Sequence, residues 1–198
     1  MFLSFTDESM FLCRWGAVIG ASLVAAGFDL RQGRIPNALT FPLLGFGLVL
    51  VTWHGGLASL AEAAGACALL ALPYVLLFIF VGGGAGDAKL MGAIGSWLGL
   101  RHGLLTLVCV IMAGGVLAIV KAISQKQLKL VLTSVCVSFY GFILFLFGLF
   151  GQKKLPSLSD GTDIEKSGNL ELPYGVAILL GVCIAAVISG MWGVEWLW

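Results

Sequence analysis

The sequence predicts an all-α polytopic membrane protein with six transmembrane helices, on the strength of three observations. Hydrophobic residues make up 60% of its 198 residues and charged residues only 11%, whereas a soluble domain is roughly 45–50% apolar and 25% charged. The apolar residues form long runs, and about 20 of them are needed for a helix to cross a bilayer. Charged or glycine-rich stretches separate these runs. We therefore expect one membrane domain over 1–198 and no separate soluble domain.

The first two predicted spans lie on either side of a charged stretch. The first runs from about Phe11 to Phe28 and stops at 29–34, whose charged residues and glycine cannot lie in hydrocarbon. Pro36 then opens the second span, because the amide that proline lacks would have had no intrahelical partner at a helix start. We expect this span to end near Trp53, an aromatic residue suited to the membrane interface.

Three further spans follow in the middle of the chain. The third covers Leu57 to Val81 and is followed by a glycine-rich stretch, 82–86, where the backbone can take conformations closed to other residues. The fourth begins at about Asp87 and ends near Leu100, which is short for a full crossing. The fifth runs from Gly103 to Val120 and is followed by a basic loop over 121–129.

The last part of the chain leaves the number of spans open between six and seven. Pro173 to Met191 is the final span, and 130–150 is long and apolar enough to be a seventh. Six spans place every lysine and arginine except Arg14 and Arg101 on one face, whereas seven move three more lysines to the other face. The positive-inside rule therefore favours six. In that case 130–172 is an interfacial or re-entrant apolar segment followed by a polar loop.

Charge, cysteines and histidines exclude several kinds of site. A formal net charge of +1 creates no field that would attract nucleic acid. The five cysteines include no Cys-x-x-Cys pair, and the two histidines, His54 and His102, form no metal-binding motif. We expect no metal, no cofactor and no nucleic-acid partner, and we expect contact with membrane lipid.

Two aspartates stand beside the apolar runs, where ionisable residues are costly and usually functional. Asp29 ends the first span and Asp87 begins the fourth. Since two further spans separate these ends, we expect both carboxyls on the same face of the membrane, where they can meet. Two carboxyls a few ångströms apart tend to share one proton, so that one can act as a base toward water while the other polarises a peptide carbonyl.

Other interpretations stay open at this point. Asp87 could serve only as a helix N-cap, because aspartate is a favoured cap residue. Asp29 could be a solvated residue beside Arg31 at the end of a span. A small transporter or channel could use both carboxyls to bind a cation or to relay protons, and a non-catalytic subunit of a membrane machine is a third class. The occurrence of both aspartates on one face favours a catalytic pair.

Two blocks of sequence resemble the signatures of a known family. The stretch 29–40, DLRQGRIPNALT, and the stretch 84–90, GAGDAKL, each contain one of the aspartates. In this order they resemble the two signature blocks of the type IV prepilin peptidases, which are membrane proteases of the Gly-x-Gly-Asp class. A third stretch, 172–178, LPYGVAI, resembles a block of the short Tad-pilus branch of that family.

The resemblance implies an aspartyl endopeptidase of the bacterial cytoplasmic (inner) membrane. Asp29 and Asp87 would be its catalytic carboxyls, facing the cytoplasm, with no metal or cofactor. It would remove the leader peptide from type IV prepilins or pseudopilins of the Tad/Flp kind, with the pilus assembly machinery as an expected partner. Residues expected to shape the site or to bind substrate lie in the same three blocks: Pro36, Asn37, Gly84, Gly86, Lys89, Pro173, Tyr174 and Gly175.

Residues around Asp87 lead to two further expectations. Gly84 and Gly86 would allow an extended substrate backbone to approach Asp87 closely. The positive charge of Lys89 would favour an ionised carboxylate and attract an acidic stretch of substrate, although positive charges on the inner face of membrane proteins are common.

The N-terminal stretch of this sequence differs from that of the bifunctional members of the family. Bifunctional members also methylate the new pilin N-terminus and carry a cytoplasmic N-terminal region with paired cysteines. Here only about ten residues precede the first predicted span. We therefore expect peptidase activity without N-methylation.

Overall fold

The computed structural model describes residues 7–81, 84–124 and 174–191, and every regular element in those residues is an α-helix. The four helices are α1 (Asp7–Gln32), α2 (Asn37–Val81), α3 (Ala85–Ser124) and α4 (Tyr174–Met191). They confirm the predicted all-α class. The apolar stretch 130–150 lies outside the described residues, so the interfacial or re-entrant segment over 130–172 stays a prediction.

Three of the helices are long and apolar enough to cross a membrane, judged by length and composition. Within the described residues these segments are Ser9–Gln32, Asn37–Ile79 and Ala85–Lys121, and Tyr174–Gly190 is a shorter apolar helix. Large hydrophobic side chains stand on the outside, such as Leu57, which is 80% exposed. Extended apolar surface of this kind is unfavourable in water and suits lipid. The structure is consistent with a membrane protein.

Each of the two longest helices contains one glycine that departs from helical geometry. A straight helix with the 45 residues of α2 would be about 67 Å long, more than twice the thickness of a bilayer core. Gly56 in α2 has φ 68° and ψ −159°, and Gly99 in α3 has φ 68° and ψ −169°. Glycine adopts such positive φ without steric cost. The breaks divide each helix into two arms, 37–55 and 57–81 in α2, and 85–98 and 100–124 in α3.

The chain turns back on itself at Gly56. The Ser96 hydroxyl lies 3.5 Å from the carbonyl oxygen of Leu44, and a Cβ built on Gly95 would lie 2.8 Å from the carbonyl oxygen of Ala66. Two neighbouring residues of α3 thus contact parts of α2 that a straight helix would hold about 33 Å apart. Both arms of α2 therefore pack against the first arm of α3.

The second arm of α2 runs antiparallel to the first arm of α3. Ala66 lies against Gly95, whereas Ala71, further along α2, lies against Gly92, where a built Cβ would be 3.5 Å from the Ala71 Cβ. As residue numbers rise in one arm they fall in the other. This register matters for the site, because it carries the end of α2 toward the start of α3.

Contacts group the chain into two compact units, one formed by 1–117 with 173–198 and the other by 118–172. In the first unit α1 packs along α4. Its core contains buried side chains from all four helices: Trp15 and Val18 from α1, Leu70 from α2, Met91 and Ile94 from α3, and Ile178 and Val182 from α4. Of the second unit the structure describes only the last turns of α3.

Glycine lets α4 approach the second arm of α3 closely. A Cβ built on Gly181 would overlap the backbone of Val110, lying 2.6 Å from its nitrogen. Small residues at helix contacts are typical of membrane bundles. We expect Gly181→Ala to lower the free energy of unfolding by about 1–3 kcal/mol, because the two helices must move apart. Thermal unfolding of the purified protein in detergent measures this loss.

Gly190→Ala is the matched control for that substitution. Gly190 lies on the same helix, and a Cβ built on it would meet nothing within 4 Å. Alanine there should leave the unfolding temperature unchanged or raise it slightly, because alanine is the better helix former. If Gly181→Ala behaved like Gly190→Ala, the close contact with Val110 would not exist in the folded protein.

Candidate active site

Asp87 lies in the first turn of α3 and is the more deeply buried of the two aspartates. The residue is 8% exposed, and its backbone N–H donates to the carbonyl oxygen of Gly84 at 3.2 Å. Because α3 begins at Ala85, Asp87 stands inside the first turn rather than before it, which does not fit the alternative of a simple N-cap. A Cβ built on Gly84 would lie 2.9 Å from Asp87 Oδ2, so glycine there leaves room for the carboxyl.

Asp29 lies in the last turn of α1 and is held by α4. The backbone N–H of Gly175 donates to Asp29 Oδ2 at 2.7 Å, which is a charge-assisted bond when the carboxyl is ionised. A Cβ built on Gly175 would lie 2.8 Å from the Asp29 Cβ and 3.1 Å from the Ala26 Cα, so only glycine fits without a shift. The structure thus brings one of the three residues predicted near the C-terminus into direct contact with Asp29.

The two aspartates lie at the same end of the helices. Asp29 stands at the end of α1 and Asp87 at the start of α3, and their side chains are close enough to interact electrostatically. Ile35, in the segment that joins α1 to α2, packs on the start of α3, since a Cβ built on Gly86 would lie 3.0 Å from the Ile35 Cβ. Gly86 thus permits the close approach of Ile35, a residue of the same chain. The close approach of a substrate to Gly86 stays a prediction.

Lys89 and Asn37 connect the two signature blocks. Lys89 Nζ donates to Asn37 Oδ1 at 2.9 Å and lies 5.6 Å from the centre of the Phe41 ring. Both Lys89 and Asn37 are exposed, and Pro36 stands directly before α2. Attraction of an acidic substrate by Lys89 stays a prediction. Pro173 lies outside the described residues.

Two tyrosines lie within electrostatic reach of Asp87. Ala71 contacts the turn at Gly92, so the antiparallel register places Tyr74, one turn further along α2, opposite the start of α3. The charge of Asp87 acts on the hydroxyl groups of both Tyr74 and Tyr174, and Tyr174 also acts on Tyr74. The surroundings of Asp87 therefore contain two phenol groups that can donate hydrogen bonds.

Tyr174 is among the residues that the sequence predicts for the site, but Tyr74 is not. Tyr74 lies inside a long apolar run, where it resembles an ordinary membrane-helix residue. One signal could have identified it. The tripeptide Leu-Pro-Tyr occurs at 72–74 and again at 172–174, in a chain with only three tyrosines. The second copy belongs to the block with the family resemblance.

The site offers no obvious place for a metal among the residues that the structure describes. In those ranges no three His, Cys, Asp or Glu side chains gather closely enough to hold an ion. The expectation that neither metal nor cofactor is needed stays a prediction. What the described groups can do is acid–base chemistry, because two interacting carboxyls can activate a water molecule and polarise a carbonyl.

The fold and the site together define a class of protein: apolar helices suited to a membrane, with two aspartates that are distant in sequence and interact electrostatically at one end. Comparisons identify its family. Residues 16–119, a little more than half of the chain, match the Type IV leader peptidase family. The chain belongs to the type IV leader peptidase family.

Curated relatives agree with this family. The chain is 40% identical over 86 residues to the "Prepilin leader peptidase/N-methyltransferase" of Burkholderia pseudomallei strains 1026b and K96243, covering 40% of this chain and 28% of each relative. It is 33% identical over 122 residues to the protein of the same name from Neisseria gonorrhoeae, covering 58% of this chain and 41% of that protein. No solved structure matches.

The family match confirms the resemblance found in the two signature blocks. Asp29, Asp87 and Tyr74 fall within the matched residues, whereas Tyr174 and Gly175 fall outside them. The chain spans well under half the length of these curated relatives.

Proposed function

We propose that this chain is an aspartyl endopeptidase of the bacterial cytoplasmic membrane that removes the leader peptide from type IV prepilins or pseudopilins. The observation that carries the proposal is the placement of Asp29 and Asp87 at one end of the helices, where their side chains interact electrostatically. Membership of the type IV leader peptidase family supports it, as does the name "Prepilin leader peptidase/N-methyltransferase" of the matching relatives.

The surroundings of the two aspartates suit different roles in peptide hydrolysis. The Gly175 N–H bond stabilises a charged Asp29 carboxylate, whereas the buried Asp87 suits the member of the pair that keeps the shared proton. In the proposed reaction Asp29 accepts a proton from water, whose oxygen attacks the carbonyl carbon of the scissile bond. Asp87 donates a hydrogen bond to the carbonyl oxygen. When the C–N bond breaks, the leaving nitrogen takes the proton held by Asp29.

The proposed topology has six transmembrane helices: α1, the two arms of α2, the two arms of α3, and α4. The breaks at Gly56 and Gly99 support two crossings each for α2 and α3. Six spans leave only Arg14 and Arg101 away from the face that carries the aspartates, and the positive-inside rule makes that face cytoplasmic. The leader of a prepilin would then meet the site from the cytoplasm.

The proposed substrates belong to the Tad/Flp kind, and the proposed reaction does not include N-methylation. The block 172–178 resembles the Tad branch, and its Gly175 contacts Asp29. The pilus assembly machinery is the proposed further partner.

Co-expression with a Tad-type prepilin tests these proposals. The mass of the precursor is followed with the wild-type protein, with the double variant Asp29→Asn/Asp87→Asn, and without either. Loss of the leader only with wild type, and a new N-terminus without a methyl group, supports the proposals. A methylated N-terminus would contradict the proposal that the reaction does not include N-methylation. If the precursor stays intact although the wild-type protein has inserted into the membrane, the proposed peptidase activity is contradicted. An ion flux that wild type shows and the double variant lacks would instead support a transporter.

Tyr74→Phe removes a hydroxyl group beside Asp87 and keeps the ring. We expect kcat/KM for leader cleavage to fall about threefold to tenfold, because Asp87 is the protonated carboxyl in the proposed reaction and a hydrogen bond between neutral groups is worth about 0.5–1.5 kcal/mol. Steady-state cleavage of a purified prepilin in detergent measures this. Thr52→Val is a matched control on the other arm of α2, where the Thr52 hydroxyl donates to the Leu48 carbonyl at 2.6 Å. Equal loss in both variants, or none in Tyr74→Phe, would contradict a role for Tyr74.

A further inference from the structure

A second polar site lies at the end of the helices away from Asp29 and Asp87. It is a cavity of about 670 Å³, bordered by Gly55 and by Gly99 at the breaks in α2 and α3. Arg14, which lines it, stands about 22 Å from Asp29 along the axis of α1. The proposed peptide hydrolysis uses no residue of this cavity, so the cavity is separate from the proposed peptidase site.

Charged and polar side chains from three helices line the cavity. They are Arg14 from α1, His54 and Glu62 from α2, and Arg101 and His102 from α3. The charges of Arg14 and Arg101 both act on His102, so these three groups stand close together. Among the described residues that line the cavity, two guanidinium groups stand against the one carboxylate of Glu62. Arg101 also has a partner within the chain.

Aromatic rings fix the position of His102 in the cavity wall. The centre of its ring lies 6.4 Å from that of Phe11 and 6.2 Å from that of Trp15, with an edge-to-face arrangement in both pairs. Trp15 and Trp97 also line the cavity. The cavity thus combines guanidinium groups with an aromatic wall formed by buried tryptophans.

We propose that this cavity binds a phosphate group, carried by the headgroup of an anionic phospholipid such as phosphatidylglycerol. Guanidinium groups bind phosphate oxygens through pairs of parallel hydrogen bonds, and basic pockets between membrane helices bind acidic headgroups. The site also explains why Arg14 and Arg101 stand apart from the other lysines and arginines in the six-span arrangement.

Lipid binding by the full-length protein in detergent tests the proposal, with native mass spectrometry as the readout. Wild type should retain phosphatidylglycerol in preference to zwitterionic phosphatidylcholine. Arg14→Gln should bind phosphatidylglycerol about tenfold more weakly, as expected for the loss of one charge-assisted hydrogen bond. Arg14→Lys keeps the charge but loses the paired geometry, so we expect a smaller loss, and this variant serves if the glutamine variant does not fold.

Arg34→Gln is the matched control, because Arg34 is an exposed arginine beside Asp29 rather than in the cavity; its affinity for phosphatidylglycerol should equal that of wild type. Inorganic phosphate forms a separate arm. Displacement of the lipid by phosphate would identify free phosphate as the ligand of the same site, whereas retention of the lipid identifies the headgroup. Equal retention of both lipids by wild type, or unchanged affinity in both Arg14 variants, would overturn the proposal. Cleavage activity does not enter this readout.

Discussion

Asp87→Asn is expected to lower kcat for leader cleavage by about a thousandfold or more, because removing a general acid or base typically costs about 10²–10⁴ in rate. Asparagine keeps the size of the buried side chain, but it cannot share an ionisable proton with Asp29. Single-turnover cleavage of a purified prepilin measures the rate. Asp29→Asn should show a loss of the same order, and the double variant should lose little more, because the two carboxyls act as a unit.

Ser96→Ala is the control for a buried polar substitution on the same arm of α3. The Ser96 side chain is buried and its hydroxyl donates to the Ala93 carbonyl at 2.7 Å, away from the aspartates. This variant should fold, insert and cleave at close to the wild-type rate. A wild-type rate in correctly inserted Asp87→Asn would mean that the two-carboxyl mechanism is wrong. Additive losses in the double aspartate variant would mean that the two carboxyls act separately.

Gly175→Ala is expected to lower kcat by about a hundredfold while KM changes less. The added Cβ would lie 2.8 Å from the Asp29 Cβ and 3.0 Å from Asp29 Oδ2, so either the carboxyl or α4 must move. That movement breaks the 2.7 Å bond from the Gly175 N–H. A displacement of about 1 Å at a reacting group can cost about a hundredfold in rate. Steady-state cleavage at several prepilin concentrations separates kcat from KM.

The Gly181→Ala variant separates loss of geometry at Asp29 from general loosening of α4. Gly181 contacts Val110 rather than Asp29, so that variant should lose stability but keep kcat per folded molecule. Gly175→Ala should instead lose kcat per folded molecule and keep its stability. If both variants lost kcat in proportion to their loss of stability, the Gly175 bond would be structural only.

The positions of the helices could be predicted because charge and glycine interrupt the apolar runs. The predicted boundaries after Trp53 and near Leu100 fall close to the breaks at Gly56 and Gly99. The predicted first span, Phe11 to Phe28, is shorter than α1 at both ends. Apolarity marks only the part of a helix that can lie in hydrocarbon, whereas its backbone hydrogen bonds continue into polar surroundings. Asp29 therefore lies within a helical turn rather than after the helix.

The catalytic role of the two aspartates stays a prediction, but that they lie within electrostatic reach of each other could be predicted by following the direction of successive spans. Contacts between helices could not, because they depend on the rotation and register of one helix against another. The bond from Lys89 to Asn37 and the bond from Gly175 to Asp29 are of this kind. The sequence names all four residues as belonging to site blocks, but it does not pair them. Tyr74 has no charge to mark it within its apolar run, so only its Leu-Pro-Tyr context distinguishes it.

The bond from Gly175 to Asp29 also sets an order of events during synthesis. Its two residues are 146 positions apart. A ribosome adding about 5–20 residues per second needs about 7–30 s to reach Gly175 after Asp29 has been made. A nascent chain therefore holds both aspartates for some time before the amide that orients Asp29 exists. The orientation of Asp29 within the carboxyl pair is therefore completed only after α4 has been made and has docked against α1.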